Sequence, residues 1–292
     1  MKTSLNQVSL ILFFLVLFFL PKPSFAQKNS VFEEILAQAV LIQTDSGTGS
    51  AFLYKYGEYL YLITARHVIV DKEDSASSTI TATLYPHGPV CSNPIEFSVD
   101  LEKAQSKGVI RFGTSHDFIF IELGKMKGPI PLFEDYVKIL TKPFYLPKFL
   151  PQGAFTNLDS LGVGEEVFLF GYPTSLASLD QFDFKRPIMR TGTIAGRSCA
   201  NKGDRPTEYR VLIDARVDHG MSGGFVMIKT NAGKYSLIGI MIELVPWVKE
   251  YTKVEDSEIK INFENSGLSV VLSFDTIVYA IDRFQKERKE AK

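Results

Sequence analysis

The chain has 292 residues, 45% hydrophobic and 22% charged, with a formal net charge of −1. That balance excludes a disordered or fibrous chain. It also lacks the basic excess of a nucleic-acid binder. The length suits one large all-β unit or two domains.

The first element stands apart from the rest. Lys2 precedes an apolar run, Val8 to Leu20, and small residues follow at Ser24 and Ala26. A positive start, a short apolar core and small residues read as a secretory signal peptide over residues 1–26, cleaved after Ala26. The competing reading is a retained membrane anchor, but a span needs about 20 apolar residues. Removal takes away Lys2 and Lys22 and no acid, moving the formal charge from −1 to −3. No stable membrane anchor is then expected, and the location is periplasmic or secreted.

Short β-type runs follow: Ala39–Thr44, Gly49–Tyr56, Tyr59–Ala65, Ser78–Tyr85, Gly108–Gly113 and Phe118–Leu123. Each is rich in β-branched and aromatic residues and bounded by turn formers. Lys142 to Ser160, rich in Pro, Phe and Lys, has no clear period and reads as a connection. Strands resume at Glu165–Tyr172, Met189–Arg197, Glu208–Arg216, Gly223–Lys229, Tyr235–Leu244 and Leu268–Ser273. The spacing predicts an all-β chain of two antiparallel barrels or sandwiches: one over 27–145, the second over 146–272. From Ser273, a plausible N-cap, the period changes. Ile277, Ala280, Ile281 and Phe284 fall on one helical face, predicting an amphipathic helix with a basic tail over 273–292, packed on the second barrel.

Two cysteines, Cys91 and Cys199, would allow one bridge in an exported chain, and both remaining free is the equal alternative. Neither sits in a metal-ligand spacing, so no metal and no cofactor are expected.

Chemistry gathers at Asp-His-Gly-Met-Ser-Gly-Gly, residues 218–224. A serine is a weak nucleophile until a base takes its proton, and the base needs an orienting group. Of four histidines, His67 ends a strong strand. His87 lies in a Pro/Gly turn, His219 lines a loop, and His116 precedes Asp117. Asp117 opens an apolar strand, where a carboxylate is costly unless paired. His67, Asp117 and Ser222 are therefore the candidate base, orienter and nucleophile. The N–H groups of Gly220 and Ser222 can point at one oxygen, as an oxyanion hole requires. Gly220 suits a backbone conformation closed to residues with a Cβ.

Taken in order, Gly47–Tyr54, Leu62–Ile69, His116–Leu123, Val163–Pro173, Asp214–Gly224, Tyr235–Glu243 and Gly267–Ile277 resemble the trypsin/chymotrypsin-fold serine peptidases. The resemblance is greatest to the bacterial Deg/HtrA-type protease domains, over roughly residues 36–285. It implies two six-stranded barrels packed around a cleft, with a C-terminal helix, and a serine endopeptidase acting on peptides or unfolded proteins. It also implies that Arg216, six residues before Ser222, lies near the base of the primary pocket. There it would favour an acidic side chain, unless Asp214 neutralises it and leaves a small pocket. Ile242 to Leu244 would bind substrate backbone.

The departures from the family pattern are Met221 and Phe225, and a long insertion at 245–266. With Met221 where trypsin-like zymogens place an acid, no activating cleavage beyond signal removal is expected. No peptide-binding domain of the PDZ type is expected after the helix. The sequence leaves open a homo-oligomer, a non-catalytic peptide-binding module and an esterase-type hydrolase on the same fold.

Overall fold

The computed structural model describes residues 31–45, 47–70, 77–85, 93–113, 116–141, 160–176, 186–201, 206–253 and 259–290. The signal segment, His87, Cys91 and nearly all of the 142–160 connection lie outside them. Cys199 falls in a strand whose side chains there are also outside the description, so the cysteine pairing stays open.

The predicted runs form strands, all paired antiparallel. In chain order the first nine are β1 (Ala39–Gln43), β2 (Thr48–Tyr56), β3 (Tyr59–Thr64), β4 (Thr79–Leu84) and β5 (Ile95–Asp100), then β6 (Ile110–Phe112), β7 (Ile119–Lys127), β8 (Ile130–Phe133) and β9 (Val137–Ile139). They make one sheet in the order β6-β7-β3-β2-β1-β4-β5-β9, with β8 on β7. The next six are β10 (Glu166–Gly171), β11 (Ile188–Asn201), β12 (Pro206–Asp214), β13 (Phe225–Lys229), β14 (Tyr235–Lys253) and β15 (Ile259–Ser273). They close into a barrel, β10-β11-β12-β15-β14-β13. The helices are α1 (Val31–Leu36), α2 (Arg66–Ile69), α3 (Leu101–Ser106) and α4 (Phe274–Glu290). The all-β, two-part architecture with a C-terminal helix is the one expected. In detail, the described residues of the first part form a nine-stranded half-barrel, where a six-stranded barrel was expected.

Strand alternation builds two cores. Along β10, Val167 and Leu169 point into the closed barrel, while Phe168 and Phe170 point out of it. Along β13, Val226 and Ile228 point in, while Phe225 and Met227 point out. The outward set merges with the half-barrel's own apolar residues into one continuous core. Phe225 is fully buried there, stacked on Phe170 at 4.9 Å between ring centroids and 5.3 Å from Phe52 of β2. Phe225, a departure from the pattern that the sequence resembles, thus fills the seam between the two parts.

Helix α4 packs against β14 and β15 of the closed barrel, as expected, and reaches further. The Asp275 N–H donates to Ser273 Oγ at 3.2 Å, so Ser273 does cap the helix. The chain then passes β14 and lies over the half-barrel rather than on the closed barrel alone. Phe284 meets Phe120 edge-on, and Gln285 Nε2 donates to the Tyr61 hydroxyl at 3.0 Å. Arg288 Nη1 lies 2.6 Å from both carboxylate oxygens of the buried Glu122 on β7. Burial pushes the Glu122 carboxyl up from its usual range, and the Arg288 guanidinium opposes that.

The described residues of the 245–266 insertion form two paired strands, a hairpin's arms. They continue β14 and β15, which stay paired from Gly239↔Ser273 out to Lys253↔Ile259. Among the described residues, no helix is long and apolar enough to cross a membrane.

Candidate active site

Each part of the fold contributes one side of a shared site. Strand β3 ends at Thr64, and α2 turns His67 away from the sheet rather than continuing the strand. Asp117 sits in the bend just before β7. The two meet twice: the His67 backbone N–H donates to Asp117 Oδ1 at 3.0 Å, and His67 Nδ1 lies 2.6 Å from Asp117 Oδ2. An ionised carboxylate only accepts, so Nδ1 carries the proton and Nε2 is the free basic nitrogen. The imidazole is 48% exposed and thus open to a substrate.

Ser222 arrives from the closed barrel, on the loop between β12 and β13. The Ser50 N–H of β2 donates to the Ser222 carbonyl at 2.8 Å. Gly223 is seated so tightly that a Cβ there would lie 2.1 Å from both Ser50 O and Thr64 Oγ1, and 2.8 Å from Ala65 N. The serine is therefore held against the end of β3, where the His67 turn begins. Among the described residues, no hydrogen bond joins the Ser222 hydroxyl to His67, and the serine is half-buried.

The backbone of this loop can be accounted for group by group. Met221 N–H donates to Asp218 O, Gly223 N–H to Met241 O and Gly224 N–H to Met221 O. The His219 carbonyl accepts from Ser175 N–H at 3.2 Å, and the Gly220 carbonyl accepts from Ser50 Oγ at 2.7 Å. The two N–H groups between Gly220 and Gly224 that meet no acceptor among the described residues are those of Gly220 and Ser222. Gly220 has φ +95°, and a Cβ on it would lie 2.1 Å from Thr174 Oγ1. Both the left-handed backbone and the contact demand glycine.

Sequence reasoning missed the groups that fasten this loop. Ser50 is fully buried, and its hydroxyl bridges the Tyr172 N–H at 2.8 Å and the Gly220 carbonyl. Thr174 accepts from Thr48 Oγ1 at 2.8 Å, tying the Thr174–Leu176 turn to β2. Nothing in Gly-Thr-Gly-Ser distinguishes Thr48 and Ser50 from ordinary hairpin residues. Their partners lie more than 120 positions away.

The structure brings Arg216 and Leu244 to one open cleft of about 560 Å³, together with Val217, His219, Pro246 and Glu264. The Ile242 side chain is buried in the shared core and does not line that cleft. Asp214 is not the partner of Arg216. It is an exposed residue closing β12, and Arg216 follows beyond the strand end. The acid that meets Arg216 is the buried Asp218, whose Oδ1 lies 3.5 Å from Arg216 Nε, while its Oδ2 pairs with Arg190 Nη2. Spacing alone does not choose the partner: Asp214 and Arg216 are both exposed, with buried Ala215 between them, yet it is Asp218 that comes within ion-pair distance.

Residues 47–240 match the family described as the trypsin-like peptidase domain. The chain belongs to the trypsin-like peptidase family. No significant match exists among curated proteins. Among solved structures, the HtrA-type protease AlgW with a tripeptide is 15% identical, with 87% of this chain and 62% of that one covered and a TM-score of 0.50. An inactive form of Rv3671c from M. tuberculosis is 16% identical, covering 90% and 93%, with a TM-score of 0.49. Deg5 is 16% identical, covering 74% and 85%, with a TM-score of 0.47. What is shared with AlgW at such identity is the fold. Met221 is one of the two departures from the pattern that the sequence resembles. It is fully buried among the apolar residues of the closed barrel.

Proposed function

We propose that the chain is an exported serine endopeptidase cutting peptides or unfolded proteins through an acyl-enzyme, with no cofactor. The observation that carries this reading is the conjunction at one place of the His67–Asp117 pair and the two free N–H groups flanking Met221. Ser222 Oγ attacks the scissile carbonyl while His67 Nε2 takes its proton. Asp117 holds the ring tautomer and stabilises the imidazolium. His67 then protonates the leaving amine, and water repeats the sequence to free the acyl group. The Gly220 and Ser222 N–H groups receive the oxyanion, a role in which one donor is typically worth about 3–4 kcal/mol of barrier. The substrate backbone lies along Ile242 to Leu244. Arg216, sharing Asp218 with Arg190, favours a carboxylate-bearing side chain in the cleft.

A fluorophosphonate probe tests this. The mature chain is expected to be labelled and Ser222→Ala is not. The missing Ser222–His67 hydrogen bond favours a second reading, a peptide-binding module without turnover, although such bonds often tighten only with substrate present. Absent labelling of the wild type, with peptide binding retained, would establish that second reading. A peptide library then separates peptidase from esterase action.

A further inference from the structure

Beyond Ile240 strand β13 no longer accompanies β14, and Met241 is the last residue held by the Gly223–Gly224 backbone. From Ile242 outward, β14 is paired on one side only among the described residues, with β15. An open edge of this kind takes an extended peptide as an added strand. The hairpin carries that edge past the cleft to Trp247, the single tryptophan of the chain, which is 64% exposed.

Three observations place Trp247 at the outer end of the cleft, just beyond the residues that line it. Its neighbour Pro246 lines the cleft, as does Asn265 opposite Pro246 on β15. Its own cross-strand partner Glu264 lines it as well. The pairing register also shifts between Leu244 and Pro246, where Ser266 Oγ donates to the Val245 carbonyl at 2.6 Å. Such irregularities re-aim side chains. Pro246 offers no N–H to an added strand. At this point recognition passes from the backbone ladder to a side chain.

We infer that Trp247 forms an outer subsite for extended peptide substrates, taking an apolar side chain about four to six residues before the scissile bond. That register follows from the rise of roughly 3.4 Å per strand residue, with the peptide antiparallel to β14. The inference rests on the peptidase reading for its register, and on the geometry of the hairpin for its existence.

The sole tryptophan makes the test direct. Sites cut by the wild-type chain in reduced, alkylated casein are copied as tryptophan-free dodecapeptides, together with versions lacking the N-terminal residues that would reach Trp247. With the full chain carrying Ser222→Ala, the long peptides are expected to shift the Trp247 emission and the truncated ones are not. In the active chain, Trp247→Ala is expected to lower kcat/KM about tenfold for long peptides through KM, with kcat unchanged. Truncated peptides should be cut equally by both forms. An equal loss on long and truncated peptides, or no loss on either, overturns the subsite. So does an emission shift that follows protein concentration without peptide, which would mean that a second copy covers Trp247. If the wild type cuts no casein and escapes the fluorophosphonate, the peptidase reading fails instead. A random tryptophan-free dodecapeptide pool then decides the subsite: an emission shift upholds it and none overturns it.

Discussion

The two halves of this molecule solve the same problem differently. The barrel of β10 to β15 closes on itself and keeps a private core, Val167, Leu169, Val226 and Met221 among it. Among the described residues, the half-barrel of β1 to β9 does not close, and its core runs continuously into the seam with the barrel and under α4. The difference follows from what each half supplies. The closed barrel presents a loop whose peptide planes must be held individually. The half-barrel presents a histidine and an aspartate that need only a common rigid base. The loop is nonetheless fastened from the other half, by the Ser50 hydroxyl and N–H. Neither half alone carries His67, Asp117, Gly220 and Ser222 together.

The comparison is tested most severely at the base. Asp117→Asn should leave the fold intact and lower kcat about ten thousandfold, because an asparagine amide promotes the wrong histidine tautomer. A fall in kcat of less than tenfold in peptide assays would remove Asp117 from its role. On the loop side, Gly220→Ala places a Cβ 2.1 Å from Thr174 Oγ1 and 2.6 Å from Tyr172 O. Peptide hydrolysis is expected to drop about a hundred- to a thousandfold while circular dichroism is retained.

Next come the ties between the halves. Arg288→Ala strands the Glu122 carboxylate, which is only 2% exposed, beneath α4. Breaking a buried pair costs about 3–5 kcal/mol, and the 36% exposure of Arg288 places this case near or below the low end. Urea unfolding should show that loss. Glu122→Gln should cost less, since the amide keeps an acceptor for the guanidinium. Equal costs would mean that charge plays no part in seating the helix. Ser50→Ala leaves the Gly220 carbonyl and the Tyr172 N–H without their bridge, at about 1–3 kcal/mol. Its expected signature is kcat down about tenfold with KM unchanged and slower fluorophosphonate labelling. A change confined to thermal stability would make Ser50 merely structural.

The smallest effect is expected at Arg216, which is 69% exposed and shares its acid with Arg190. Arg216→Ala should lower the preference for acidic over neutral residues in the cleft by about fivefold or less, as suits a solvated ion pair. An unchanged cleavage profile would assign the pocket's selectivity elsewhere.

Much of this was legible from residue order alone. Period-two runs bounded by turn formers located most strands of both halves, and Ser273 with Ile277, Ala280, Ile281 and Phe284 located the helix. Strand β5 escaped because its alternation, Ile95, Phe97, Val99, begins only a few residues after a cysteine- and proline-containing stretch. β8 and β9 are only four and three residues long, too short for a period to show. His67, Asp117, Gly220 and Ser222 stood out because each needs a residue type that its local context alone makes unusual.

Sequence by itself thus determined the strand alternation, the glycine at φ +95° and the identity of the titratable pair. All of these are consequences of local geometry and side-chain chemistry. Tertiary structure alone decided the rest. Asp218 rather than Asp214 meets Arg216, Ser50 bridges to Gly220 across 170 positions, and Phe225 stacks in the seam. It also decided that α4 reaches past the closed barrel onto the half-barrel. These contacts depend on how two sheets pack and where the chain turns between them, and no short-range spacing encodes either.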